Sequence, residues 1–163
     1  MLKKIIILFA SILLCGCASP NTIPLSTTIQ SVYYLNPNTY NRPSPIIIVI
    51  YQLKNVSSFK QANFYSIYNH ASKTLGNSLI DKEQIEIKPN QTKKLQLHLS
   101  TKANYVGIIA AYRNINRAQW RRIIEVPPKA KAMKFNIELQ SQSLVITHIK
   151  HSKFCIGTKC IFF

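Results

Sequence analysis

Acidic side chains are scarce in this chain: Asp and Glu number 5 against 21 Lys and Arg, for a formal charge of +16. Three of the acids, Asp81, Glu83 and Glu86, lie close together in a polar, charged stretch of the kind that forms a solvated face. No other acid lies near them in sequence to form the carboxylate pair that glycoside hydrolysis needs, Glu125 and Glu138 being far along the chain, and only folding could bring such a pair together. Glycine is also rare, with 4 residues, and no glycine-rich phosphate loop occurs. Neither a Gly-x-Ser-x-Gly elbow nor a His-Glu-x-x-His helix is present, and there is no internal repeat or low-complexity tract. The expectation is a protein that is not an enzyme, with no catalytic residues, no cofactor and no metal. The N-terminal apolar run, Ile5–Leu14, is too short to cross a hydrocarbon core of ~30 Å as a helix, which excludes a membrane span there.

What that run does have is context. Lys3 and Lys4 precede it, and Leu14-Cys15-Gly16-Cys17 follows it. A positive region, an apolar region and a small residue before cysteine read as a secretory signal that ends in a lipobox. Residues 1–16 are therefore the expected signal peptide, and Cys17 is the residue expected to carry lipid. Each buried CH₂ of an acyl chain contributes ~0.8 kcal/mol, so two or more chains hold a protein on a membrane almost permanently. Ala rather than Asp at position 18 favours the outer membrane under the usual sorting rule, with the chain facing the periplasm. Residues 17–26 read as the lipidated cysteine and a polar, proline-spaced tether, residues 27–150 as one domain, and 151–163 as a C-terminal tail.

In that compartment a strong positive charge calls for a phospholipid or lipopolysaccharide surface or an acidic protein, and not for nucleic acid. Cysteine usage fits an oxidising space. Cys155 and Cys160 remain as a pair after Cys15 leaves with the signal and Cys17 is lipidated, and a local disulfide pinning the tail is the expected state. The competing reading is a zinc site formed by His148, His151, Cys155 and Cys160.

From Thr27 onward most of the sequence reads as strands. Thr27–Leu35 is β-branched and aromatic, and Pro45–Leu53 is a nearly continuous apolar run, the pattern of a strand buried on both faces. Between them Asn36–Ser44 is a loop of turn formers. Ser58 and Gln61 have capping-box spacing, and Phe64, Ile67, Tyr68 and Ala71 then recur on one helical stripe, with Gly76 as the stop. Gln84–Lys88 leads into the turn Pro89-Asn90-Gln91, after which Leu95, Leu97 and Leu99 alternate with Lys94, Gln96 and His98. Tyr105–Tyr112, Gln119–Val126, an alternating stretch from Met133 to Leu139, and Leu144–Lys150 complete a set of about eight strands. The predicted fold is all-β: a two-layer antiparallel β-sandwich with a small helical insert after the second strand. A closed barrel is the alternative.

Two surface elements are candidates for function. Arg113, Arg117, Arg121 and Arg122 lie around Trp120, a composition able to hold a small anionic ligand. Packing of Trp120 with some arginines solvated is the plainer reading. The second element is the Asn36–Ser44 loop, irregular and polar between two strong strands.

The ordered motifs resemble the outer-membrane lipoprotein family of the type VI secretion system, the TssJ family. They are Arg42-Pro-Ser-Pro-Ile-Ile-Ile-Val-Ile-Tyr-Gln-Leu53, then Phe59, Ala62, Phe64 and Tyr68, then Pro89-Asn90, and finally Ala110-Ala-Tyr-Arg113 with Trp120-Arg121, all behind the lipobox. Asn63 stands where the family has Asp. The resemblance implies a transthyretin-like sandwich and a structural role: docking the periplasmic domain of the inner-membrane protein TssM in an envelope-spanning complex, where several copies could assemble. It also implies that the loop between the first two strands makes the contact. Here that loop is Asn36, Pro37, Asn38, Thr39, Tyr40, Asn41, Arg42, Pro43 and Ser44, of which Tyr40 and Arg42 are the residue types enriched at binding hot spots. The 151–163 tail and the pronounced basicity go beyond the family pattern.

Overall fold

The apolar run that reads as a doubly buried strand is one, and its two faces enter two different cores. The computed structural model describes residues 22–151, 155–156 and 159–160, with the side chains of residues 148 and 151 onward outside the description. Strands β1 (Thr22–Ser31) and β2 (Ile46–Leu53) are followed by helices α1 (Ser57–Gln61) and α2 (Phe64–Leu75) and a 3₁₀ turn (Gly76–Ser78). The remaining strands are β3 (Leu79–Ile87), β4 (Thr92–Ser100), β5 (Tyr105–Ala110), β6 (Arg121–Glu125), β7 (Met133–Leu139) and β8 (Leu144–His151). Two short strands, β9 (Cys155–Ile156) and β10 (Lys159–Cys160), pair with each other.

Two four-stranded sheets, ordered β4-β1-β7-β8 and β3-β2-β5-β6, pack face to face. Ile46, Ile48 and Ile50 of β2 join Leu25, Ile29, Phe135 and Ile137 in the core between the sheets. The alternate residues Val49, Tyr51 and Leu53 face outward, where Phe59, Phe64, Ile67, Ala71 and Leu75 of the two helices cover them. This second core explains the continuous apolar pattern: an open sandwich face would have been polar at every other position. Alternation in β7 is equally direct, with Met133, Phe135, Ile137 and Leu139 buried. Separate sheets dispose of the closed barrel.

Four sequence-based expectations need correction. First, β1 begins at Thr22, so residues 22–26, read as tether, belong to the sheet, with Ile23 and Leu25 buried. Pro24 masked this, because proline is ordinarily kept out of central strands. It is tolerated here because β1 at that point is paired with β4 alone, its pairing with β7 beginning only at Leu25. Second, the sandwich is not wholly antiparallel, since β1 and β7 run parallel. Third, β1 ends at Ser31 and not at Leu35. Fourth, Ser58 does not cap a helix. The side-chain cap is made by Asn63, whose Oδ1 accepts from the Ser66 amide at 2.9 Å at the start of α2. Asn and Asp serve this position about equally well, so Asn63 is a strong cap for α2. Gly76 ends α2 with φ at 50°, as its role of stop requires.

The strand directions place the connecting segments at two poles. Thr22, the 101–104 turn, the 126–132 loop and the end of β8 lie at one; the 32–45 segment, the 88–91 turn, residues 111–120 and the 140–143 turn lie at the other. Near the first pole Gln52 joins the two sheets, its Oε1 accepting from the Ser100 amide at 2.8 Å while Nε2 donates to the His98 carbonyl at 3.0 Å.

Candidate functional site

The chain leaves β1 at Val32, whose amide donates to the Leu139 carbonyl at 3.0 Å. Leu35 then drops into the sandwich core with no exposure. Behind it Asn36 takes a left-handed conformation, φ 46°, which Asn adopts more readily than most residues. It is buried and makes three contacts with three different segments. Its amide donates to the Ser141 carbonyl at 3.2 Å, its Nδ2 donates to the Pro45 carbonyl at 2.9 Å, and its Oδ1 accepts from the Arg113 amide at 2.8 Å. Across the loop base, the amide of buried Ser44 donates to the Leu35 carbonyl at 2.9 Å.

The tip is tied by Asn38. Its Oδ1 accepts from the Tyr40 and Arg42 amides at 2.9 and 3.0 Å, and its backbone pairs with Arg42 and Asn41. Asn41 is a second left-handed residue, φ 58°. The loop thus holds its own shape, and a partner binding it would meet little ordering cost. Tyr40 projects from this frame at 81% exposure, beside exposed Thr39 and Arg42, while Pro37 and Pro43 are half-buried. Of the nine predicted residues, then, Asn36 and Ser44 build the base, Asn38 shapes the tip, and Tyr40 and Arg42 present the surface.

Sequence reasoning missed Tyr33 and Tyr34, which read there as strand. They lie past the end of β1, 74% and 42% exposed, and add to the aromatic surface at this pole. The Asn36-Pro37 pair was the available signal that pairing had ended by then. Exposed Lys88, Arg113 and Arg117 occur in the segments of the same pole. Asn36 should be the least replaceable loop residue for folding. Asn36→Ala leaves the Arg113 amide and Pro45 carbonyl unpaired and keeps a strained φ, so urea denaturation should show a loss of about 2–3 kcal/mol.

The arginine cluster does different work. Arg121 donates from Nη1 to the carbonyls of Phe59 and Ala62 at 2.6 and 3.0 Å, at the end of α1. Its guanidinium lies 4.6 Å from the Trp120 ring centroid, and burial lowers its pKa from the usual arginine value. Trp120 in turn meets Phe64 edge-on at 5.4 Å. Arg122 is engaged with the Arg121 carbonyl and Gln119 Oε1 at 2.8 and 2.6 Å. The Arg121 contacts latch the helical insert to β6 and commit that guanidinium to a structural role, while the Arg122 contacts stay within β6 and the adjoining Gln119. Nearby, Tyr112 donates its hydroxyl to the Gln140 carbonyl at 3.2 Å, and burial raises its pKa well above the ordinary tyrosine value.

Asp81 and Glu83 line an open cleft between β3 and β4 together with His98 and Gln96. Among the described residues, no group of three or more His, Cys, Asp or Glu is arranged to hold a metal ion. Cys155 and Cys160 are register partners in the β9–β10 ladder. Their side chains, those of His148 and His151, and all of Cys17 lie outside the described residues.

With this geometry in hand, the comparisons with known proteins converge. A family model for the type VI secretion lipoproteins VasD, EvfM and TssJ matches residues 24–142. The chain belongs to that family. The TssJ family match runs from β1 through β7 and takes in the helical insert and the candidate loop, with β8 beyond its end. Among solved structures, the fold is similar to the type VI lipoprotein TssJ1 of Pseudomonas aeruginosa (TM-score 0.74, 24% identity, covering 79% of this chain and 97% of that one). It is also similar to Serratia marcescens Lip, a membrane-bound component of the type VI secretion system (TM-score 0.73, 28% identity, 78% and 97% covered). A third similar chain occurs in a structure of the TssM C-terminal domain from EAEC (TM-score 0.64, 18% identity, 77% and 98% covered). No curated protein matches in sequence. The TssJ-family β-sandwich predicted from motif order is thus the fold and family of this chain, a lipoprotein of the type VI secretion machinery.

Proposed function

We propose that this chain is a lipid-anchored adaptor of the outer membrane that grips a TssM-like periplasmic domain through the Asn36–Ser44 loop. The single observation that carries this reading is polarity. β1 starts at Thr22, just downstream of the anchor expected at Cys17, and the loop follows its other end. Ten residues of strand separate the two points, and at ~3.3 Å per residue the anchor end and the loop end stand roughly 30 Å apart. An adaptor under tension between two membranes needs this arrangement, because a grip beside the anchor would face the bilayer. The similarity to a chain found in a TssM domain structure supports the choice of partner.

The loop base supplies the test. Because the Ser44 amide bonds to the Leu35 carbonyl, residues 37–43 can be replaced by two glycines without opening the sandwich. That variant of residues 18–163 is expected to unfold at the same temperature as the parent yet fail to bind the partner's periplasmic domain in calorimetry. Undiminished binding by a folded loop replacement removes the proposed site.

A further inference from the structure

The pole where β1 begins carries its own chemical signature. Lys54 follows the last residue of β2, Lys102 sits in the turn between β4 and β5, and Lys129, at φ 62°, sits at the tip of the turn between β6 and β7. All three are exposed. On the outer face of the β4-β1-β7-β8 sheet, Lys134 and Lys150 are direct register partners near the same end, and both are exposed. Two like charges opposite each other on neighbouring strands destabilise the pair, so this position gains when an anion lies against it. Ile149, 48% exposed, adjoins Lys150. Glu125, at the end of β6, is the acid of this pole, with Asp81 and Glu83 on the cleft rim along β3.

Chain length decides what these lysines face. With β1 starting at Thr22, residues 18–21 are all that separate Cys17 from the sheet. Even fully extended, the five steps from Cys17 to Thr22 span only about 17 Å. An acylated Cys17 therefore holds this pole close to the bilayer, within one or two Debye lengths of ~8 Å at physiological ionic strength.

We infer that the Lys54–Lys102–Lys129–Lys134–Lys150 pole is a docking surface for anionic phospholipid headgroups of the leaflet that holds the anchor. It rests on the anchored reading for its geometry and adds a second, electrostatic attachment. The acyl chains fix location, and a basic patch beside them adds a fixed orientation. The sandwich then stands with its long axis away from the bilayer, and the Asn36–Ser44 loop points into the periplasm. Part of the positive charge thereby acquires a place and a partner.

The experiment uses residues 18–163 without lipid, which retain every strand and all core residues, so that binding reports the surface alone. Co-sedimentation is measured with vesicles of phosphatidylethanolamine and phosphatidylglycerol, and with phosphatidylcholine vesicles as the neutral comparison. Binding to the anionic vesicles only, falling as salt is raised, is expected. Changing Lys54, Lys102, Lys129, Lys134 and Lys150 to Gln should weaken partitioning at least about tenfold, and changing them to Arg should preserve it. Gln at Lys60, Lys73, Lys88, Lys94 and Arg117 removes the same charge from exposed positions elsewhere and should leave most binding in place. The inference is overturned if the parent ignores anionic vesicles, if the Arg set loses binding, or if the two Gln sets lose it equally. Because no lipid is attached, any of these outcomes leaves the Cys17 anchor and the loop reading standing.

Discussion

Replacing Tyr40 and Arg42 together with Ala is expected to weaken binding of the TssM-like periplasmic domain by at least about 100-fold, with no measurable change in thermal stability. The binding loss follows from residue type and position. Tyr and Arg at the centre of an interface each contribute roughly 2 kcal/mol or more on truncation, and 2.8 kcal/mol already corresponds to a factor of 100. Stability should hold because neither side chain supports the loop. Only the backbone amides of Tyr40 and Arg42 bond to Asn38 Oδ1, and Ala keeps both amides. Exposed substitutions of this kind usually change folding free energy by less than about 0.5 kcal/mol. Calorimetric titration against the partner domain, alongside thermal unfolding of the variant, gives both quantities. An affinity within threefold of the parent would place the grip elsewhere on this pole, with Tyr33 and Tyr34 the next residues to test.

The second large effect concerns the helical insert. Phe59→Ala should lower unfolding free energy by about 3–5 kcal/mol, the range for emptying a buried aromatic site. Phe59 has no exposure, packs 5.6 Å from the Tyr51 ring, and lends its carbonyl to Arg121. Its ring lies directly over Gly107 of β5: a Cβ at Gly107 would come within 2.7 Å of Phe59 Cζ and 3.0 Å of Leu53 Cδ1. Gly107→Ala should therefore cost about 1–3 kcal/mol by overpacking, even though alanine suits a strand better than glycine. Phe59→Leu combined with Gly107→Ala should cost less than the sum of the two single changes, because the smaller side chain vacates the space that the new methyl fills. Urea denaturation of the four proteins in this cycle measures the coupling. Strict additivity would mean that the insert is not seated through this contact.

Legibility differed sharply between elements. Period-two alternation around Met133–Leu139 and the stripe of Phe64, Ile67 and Ala71 carried their own structure, because each faces one core with one face. The ends of β1 did not. Pro24 and the polar residues around it look like tether when read locally, and only the absence of a β7 partner at that residue makes a proline acceptable. At the other end, Tyr33 and Tyr34 have strand propensity but no strand beside them. The arginine cluster shows the same limit: its composition suits an anion, yet α1, brought in by the sandwich, supplies the carbonyls that occupy Arg121.

The sequence by itself determined the strand-rich class, the two-faced burial of β2, the helical insert, the loop of turn formers and the family motifs, because periodicity, turn chemistry and motif order are local properties of the chain. Tertiary structure decided the rest: a second core beneath the helices, the parallel pairing of β1 with β7, the closure of the loop base by Asn36, and the opposite poles of the β1 start and the loop. Each of these depends on which distant segments meet, and residues such as Asn36 and Arg113, 77 positions apart, carry no mark of their hydrogen bond until the sheets assemble.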